Sequence, residues 1–228
     1  MNLPAVPRDL LVVSALLILV PLIVPEWVLF IMTKSLFMFI CVSGVAFMLR
    51  GGLLTFGHAL FYATGAYTVG FMVKWFGVQE LLIVLPLGAL MGFIMAALVG
   101  LIMARYREVF FAMLNLAFSM ILFGALLKFY RVTNGTDGLP IGTPTLLGIE
   151  IESDSLSFYY FSLVIVAIVA YVIHRFMASP NGFYLRALHD NEIRIEYSGV
   201  SVRQVIYRTY ILAGTLGGVS GVLAAFTI

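Results

Sequence analysis

Charge is what this chain has least of: only 11% of its 228 residues are Asp, Glu, Lys or Arg. A soluble domain carries about 25%, so a protein whose whole surface faces water is excluded. Cysteine is scarcer still. Cys41 stands alone inside an apolar run, which excludes disulfides and thiolate metal sites. His58, His174 and His189 are far apart and show no H-x-x-x-H spacing, so no metal site is expected. Catalytic patterns are missing too. The chain has no Walker A pattern, no G-x-S-x-G, no H-E-x-x-H and no paired carboxylates within an apolar run. It is expected to hydrolyse no ATP itself and to bind no cofactor. Its basic residues form no nucleic-acid patch.

What is present is apolar: 62% of residues are hydrophobic and the mean hydropathy is +1.09. Long apolar runs satisfy their own backbone hydrogen bonds in lipid as helices, which predicts an all-α integral membrane protein. Seven spans are expected, at Leu10–Val24, Trp27–Leu49, Leu53–Val73, Leu81–Ala104, Val109–Leu127, Leu156–Met177 and Gln204–Ile228. The first is short and interrupted by Pro21. No small-residue cleavage site follows it, so it reads as an uncleaved span rather than a signal peptide. With the N-terminus inside, the cytoplasmic set holds nine bases: Arg8, Arg50, Arg105, Arg107, Arg175, Arg186, Arg194, Arg203 and Arg208. The outer set holds four, Lys34, Lys74, Lys128 and Arg131, so the positive-inside rule favours this orientation. Lys34 lies well inside the second run, where its stem has to reach outward to water.

Two spans carry packing signals. Gly88, Gly92, Ala96 and Gly100 recur every four residues, and Gly214, Gly217, Gly218 and Gly221 mark the last span; small residues on one face let a neighbouring helix approach closely. That neighbour belongs either to this chain or to another subunit. Asn115, Ser119 and Thr68 are polar groups within spans, suited to interhelical hydrogen bonds or to lining a path. Trp27, Trp75, Phe129, Tyr130, Tyr159 and Tyr160 cluster near span ends as an interfacial belt does.

Between the last two spans lies an amphipathic insert, residues 178–203. Ser179-Pro180-Asn181-Gly182 marks a helix start or a turn, and Asp190-Asn191-Glu192 marks a second start, with acids where the helix dipole favours them. A helix of about two turns, Asn191–Ser198, is expected to end at Gly199, a residue suited to the left-handed C′ position. Leu185, Leu188, Ile193, Tyr197 and Val200 are its apolar contacts; Arg186, His189, Arg194 and Glu196 are its polar ones.

This insert resembles the cytoplasmic coupling loop of permease subunits in branched-chain amino acid ABC importers, the LivM/LivH family, whose pattern is approximately G-R-A-L-R-A-I-R-E-N-E-x-A-A-x-x-x-G-I. Gly182, Leu185, Arg186, Ala187, Leu188, Asn191, Glu192, Ile193, Gly199 and Val200 stand in register. Asp190 replaces the family's first Glu, and Arg194 and Ile195 replace its small residues, which alters the face offered to an ATPase. Three further stretches agree. Gly51-Gly52-Leu53-Leu54-Thr55-Phe56-Gly57-His58-Ala59, followed by Gly65-Ala66-Tyr67, resembles G-x-L-S-L-G-H-A…G-A-Y. Phe111–Phe118 resembles F-A-x-x-T-L-A-F, with Asn115 in place of Thr. Thr133–Leu139 resembles the outer T-G-G-x-x-G-L. The four blocks cover most of residues 44–225 and lie closer to the LivM branch.

The resemblance implies one permease domain over residues 1–228, shortened at its C-terminus relative to the family, in a bacterial or archaeal plasma (inner) membrane. It implies a homologous second permease, two ATPases that carry the ATP and Mg, and an extracytoplasmic solute-binding protein. Coupling would rest on Asp190, Asn191, Glu192, Ile193, Gly199 and Arg186. His58, Thr55 and Asn115 are path candidates, with a structural role open for each; His58 has exposed backbone around Gly51, Gly52 and Gly57 to bond. The Thr133–Gly138 loop is either a plain turn or a contact for the binding protein. The competing class is an ATP-independent secondary transporter or channel, whose expected signature of intramembrane acids is missing. Branched-chain amino acids are the default substrate, with urea and short amides open.

Overall fold

The computed structural model describes residues 8–190 and 192–227, and of residues 8–12 and Asp190 the backbone alone. Four helices are long and apolar enough to cross a membrane: α2 (Glu26–Leu49), α4 (Leu81–Met103), α5 (Glu108–Lys128) and α7 (Leu156–Met177). At 1.5 Å per residue each spans the ~30 Å hydrocarbon core. Two more, α3 (Ala59–Phe76) and α10 (Val202–Ala225), have 18 and 24 residues. They are less hydropathic because Gly, Thr, Ser and Tyr replace the large aliphatics that lipid requires.

The N-terminal α1 (Arg8–Leu19) has 12 residues, about 18 Å of helix, and a 3₁₀ turn at Val20–Leu22 follows it. Pro21 ends it for a local reason: proline has no N–H to give the Leu17 carbonyl. The Tyr159 hydroxyl donates to that oxygen instead at 2.9 Å, and Tyr160 does the same for Ile18. α1 is thus stitched to the start of α7.

α10 is the axis of the bundle, buried along nearly its whole length. The glycine positions decide how. On one side, Gly92 faces Gly214 and Gly218, Gly88 faces Val222, Gly100 faces Tyr207 and Tyr210, and Ala96 abuts Gly214. α4 therefore runs antiparallel to α10. On the other side, Gly65 lies against the Gly218 backbone, and Gly221 against Tyr62 and Ala66, so α3 runs parallel to α10. The two glycine rows meet each other within this chain. Without a hydrophobic drive inside lipid, association depends on such close backbone packing. α2 closes a third side, where the Ser220 hydroxyl donates to the Phe37 carbonyl at 2.6 Å. α7 adds Tyr159, Val166 and Val169 to a cluster with Phe37, Ile40, Leu216 and Leu223.

One expectation is corrected. The third span begins at Ala59, not Leu53, because Arg50–His58 is irregular chain. Gly52 (φ +72°) breaks the helix, and beyond it Leu53, Thr55 and Gly57 are buried while Leu54 and Phe56 are exposed. Among the described residues the helical bundle carries one small hairpin. After the short α6 (Tyr130–Thr133), strands β1 (Thr145–Leu146) and β2 (Ile149–Glu150) form an antiparallel hairpin, with Leu147 and Gly148 at positive φ in its turn.

The long helices alternate in direction, so the connections gather at two ends. One end holds Arg50–His58, Ala104–Arg107 and two short helices, α8 (Pro180–Asp190) and α9 (Glu192–Tyr197). The other holds Gly77–Glu80, α6 and the hairpin. Arg50, Arg105, Arg107, Arg175, Arg186, Arg194, Arg203 and Arg208 lie at the first; Lys74, Lys128 and Arg131 lie at the second. Lys34 points its ammonium 4.3 Å over the Phe30 ring, one turn nearer the second end.

Candidate functional site

The α8–α9 insert lies against the arginine-rich end of the bundle and is folded by local signals. Ser179 precedes Pro180 at the first helical position, and its hydroxyl donates to the Phe176 carbonyl at 2.5 Å. Gly199 turns the chain at φ +79°, and its amide donates to Glu196 at 2.9 Å. Leu185 is buried with Phe47, Met177 and Val205, while Leu188 and Ile195 are buried with Met48, Phe111 and Ile206. The other face is open: Phe183, Ile193 and Tyr197 are 69%, 62% and 89% exposed, alongside Arg186, Arg194 and Glu196. Three large apolar side chains thus stand exposed at a polar end, beyond the spans.

Glu192 is not part of that open face. Its carboxylate is gripped by Arg107, whose Nε lies 2.9 and 3.1 Å from the two oxygens and whose Nη2 lies 2.9 Å from one. The remaining guanidinium nitrogen, Nη1, donates to the carbonyls of Ala104 and Tyr106 at 3.0 Å each. Arg107 thus joins the end of α4, the start of α5 and α9. A cleft of about 330 Å³ opens beside the pair, lined by Gly52, Glu108, Leu188 and His189 among others. Asn191 and the side chain of Asp190 lie outside the described residues; the Asp190 backbone ends α8.

The path candidates lie deeper. His58 is buried at the start of α3, its ring edge-on to Phe61. Its Nε2 lies 3.1 Å from the Ala213 carbonyl, and a carbonyl only accepts, so that nitrogen carries the proton. Gly44 on α2 leaves room for the imidazole, since a Cβ there would fall 2.8 Å from Nε2. Among the described residues, Nδ1 of His58 and the buried hydroxyl of Thr55 have no hydrogen-bond partner. Asn115 is fully engaged: it donates to Phe111 at 3.1 Å and accepts from the Tyr210 hydroxyl at 2.6 Å. Thr68 donates to the Thr64 carbonyl one turn back.

At the second end, Thr133 donates to Leu126 at 2.6 Å, and Lys74 donates to the Val132 carbonyl at 2.9 Å. Tyr130 donates to Asp137 at 2.6 Å, and that carboxylate, as acceptor and as nearby charge, raises the phenol's pKa. Glu80 binds the hairpin. The Thr145 hydroxyl donates to it at 2.8 Å, with the Leu147 and Gly148 amides beside it. Thr145 first, and those amides after it, hold the Glu80 carboxyl below its usual range. Among the described residues no group of His, Cys, Asp and Glu is placed to hold a metal.

Sequence reasoning missed three residues. Arg107 was counted only as a topogenic charge, Tyr210 was not singled out as the partner of Asn115, and Glu80 was not considered. Glu80 immediately before an apolar run was the readable cue for the last. The partners of the other two are 85 and 95 residues away, and nothing local announces them.

A polytopic helical membrane protein with a glycine-lined axis and an amphipathic insert at its basic end is the architecture of a transport permease. The comparisons name the family. Residues 27–228 match the model described as "Branched-chain amino acid transport system / permease component", and the chain belongs to that family. It is similar to the high-affinity branched-chain amino acid transport system permease protein LivM of Escherichia coli K12, 29% identical over 197 residues, 76% of this chain and 46% of that protein. The LivM protein of Salmonella typhimurium LT2 is 28% identical with the same coverage. A probable LivM of Methanocaldococcus jannaschii is 25% identical over 64% of this chain and 42% of its own length. The chain thus spans under half the length of these relatives. No solved structure matches it.

Proposed function

We propose that this chain is a permease subunit of an ATP-driven importer in the plasma (inner) membrane of a bacterium or archaeon, forming half of the path for branched-chain or similar small amino acids. The observation that carries this is the α8–α9 insert, held to the basic end by Leu185, Leu188 and Ile195 while Phe183, Ile193 and Tyr197 face outward. The six long helices and α1 make seven passes with the N-terminus inside, and the basic end is cytoplasmic. Residues 1–228 belong to one permease domain, and residues 178–203 are its coupling loop. A homologous permease lies beside it, two ATPases dock on the loop, and a solute-binding protein delivers substrate to the opposite end. ATP and Mg bind on the ATPases. This chain binds no cofactor and catalyses no reaction.

Closure of the ATPases displaces α8 and α9, and the bundle passes from outward-facing to inward-facing. Exposed Ile193 and Tyr197, with Arg186, supply the contact, to which Asp190 and Asn191 are also assigned; Gly199 supplies the turn back into α10. His58 and Thr55, with polar atoms unsatisfied inside the bundle, are assigned to the path. Asn115, occupied at both ends of its amide, is assigned to holding α5 on α10.

The test is affinity purification from native membranes in mild detergent, with mass spectrometry of what accompanies the chain. An ATPase and a second permease are expected. Tyr197→Glu should abolish retention of the ATPase and reduce uptake at least about tenfold, while the second permease is still retained and membrane insertion is unchanged. Uptake-competent membranes yielding the chain without any ATPase would defeat the proposal.

A further inference from the structure

We infer that Arg107 is a positioning residue that ties the α8–α9 insert to α5, making α5 the spanning helix that the insert moves. This rests on the coupling role proposed above. Three observations lead to it.

First, the spanning helices are not equally held. α10 is fixed on two sides by glycine contacts: a Cβ at Gly65, Gly88 or Gly221 would collide with the neighbouring helix. Close-packed faces of that kind do not slide by small amounts. α5 differs. It is the least buried of the four apolar spans, and its fully buried residues, Phe111, Ala112 and Asn115, all lie near its Glu108 end. A Cβ added at Gly124, farther along, would meet nothing within 4 Å.

Second, the link between insert and α5 is stiff and directional. A guanidinium forked onto a carboxylate fixes angle as well as distance. Arg107 engages both oxygens of Glu192 and anchors its third nitrogen on Ala104 and Tyr106. The pair is about two-thirds buried, with side chains 29% and 35% exposed, so solvent screens it less than an open surface pair.

Third, the joint between α4 and α5 has the geometry of a hinge. Only Ala104–Arg107 separate the two helices, and Glu108 begins α5 at φ +49°, a left-handed conformation uncommon for a residue with a side chain. A pull on Arg107 therefore acts at the pivot of the helix least restrained elsewhere. α8 and α9 reach α10 through the chain and through Leu185, Leu188, Ile195 and the Arg208–Asn181 hydrogen bond, whereas α5 is reached through side chains alone, Phe111 in the apolar cluster and this ion pair.

The experiment uses the complete complex in nanodiscs, with Cys41→Ser and spin labels at two exposed sites, Phe123→Cys on α5 and Ile168→Cys on α7. Distances are recorded without nucleotide and with ATP, Mg and vanadate, and uptake of radiolabelled leucine per ATP hydrolysed is measured in liposomes. The unaltered pair should show a nucleotide-dependent shift of the α5 label. Arg107→Gln and Glu192→Gln should each lose most of that shift and lower leucine moved per ATP about tenfold, with ATPase subunits still bound. The exchange Arg107→Glu with Glu192→Arg should recover part of both signals, since it restores the ion pair but not the bonds to Ala104 and Tyr106. A full shift and a normal ratio in Arg107→Gln would overturn the assignment of Arg107 alone. A wild-type complex that holds no ATPase would overturn the coupling reading and this inference with it.

Discussion

α5 and α10 are both long enough to cross a bilayer, yet they are opposites in composition and burial. α5 is strongly apolar, with a mean hydropathy of 2.2 over its best window, and carries three buried residues. α10 falls below the apolarity of the four clear spans and is buried from Val202 to Ala225 on almost every face. In a water-soluble protein that relation would be inverted. Within a membrane, apolarity reports contact with lipid, and the helix that avoids lipid is free to carry glycine, serine, threonine and tyrosine. The side chains follow the same division: Tyr210 and Ser220 make hydrogen bonds inside the bundle, whereas Phe110, Met113, Met120 and Phe123 on α5 face outward.

The sharpest way to break the contrast is to add one methyl group to each helix system. Gly65→Ala drives a Cβ into the Gly218 backbone, which cannot move aside as a flexible side chain does. It should destabilise the protein by about 3 kcal/mol, read as a large fall in the unfolding temperature and in the monodisperse fraction in detergent. Tyr210→Phe comes next. It leaves the buried Asn115 carbonyl without its donor, at about 2 kcal/mol. The double variant Tyr210→Phe with Asn115→Leu should be less damaged than the single, because neither polar group then remains buried and unpaired. Gly124→Ala in α5 is the smallest effect and opposite in sign. With open space around the new methyl, alanine's better helix propensity should stabilise by about 0.5–1 kcal/mol. A Gly124→Ala variant as damaged as Gly65→Ala would mean that α5 is packed along its length, and the distinction between the two helices would collapse.

What could be read beforehand follows from how local each cue is. The apolar run Leu156–Met177 is unbroken and marks α7 by itself, and the structure adds the cap, Ser155, whose side chain accepts from the Phe158 amide. The two short helices of the insert were announced by Pro180, by the acids at 190–192 and by Gly199. The start of α3 was not: Leu53, Leu54 and Phe56 continue the apolar pattern, and hydropathy does not register that Gly52 and Gly57 stop the helix. Gly57 is required there because its Cα lies against the Asn115 backbone, a contact between distant segments. The same limit hid the junctions at His58–Ala213, Asn115–Tyr210 and Arg107–Glu192. One partner of each looked notable in the sequence, and the other was an ordinary alanine, tyrosine or loop arginine.

The Tyr159 hydroxyl that closes the open carbonyl of Leu17 stands 142 residues later in the chain. Translation adds about 5–20 residues per second, so that donor is made on the order of ten seconds after its acceptor. Until then the last turn of α1 carries an oxygen that proline has left without a local partner, a costly state for a helix end away from water. α1 is therefore made well before the segment that completes it, and any variant that delays α7 prolongs the interval in which α1 is open to misplacement or proteolysis.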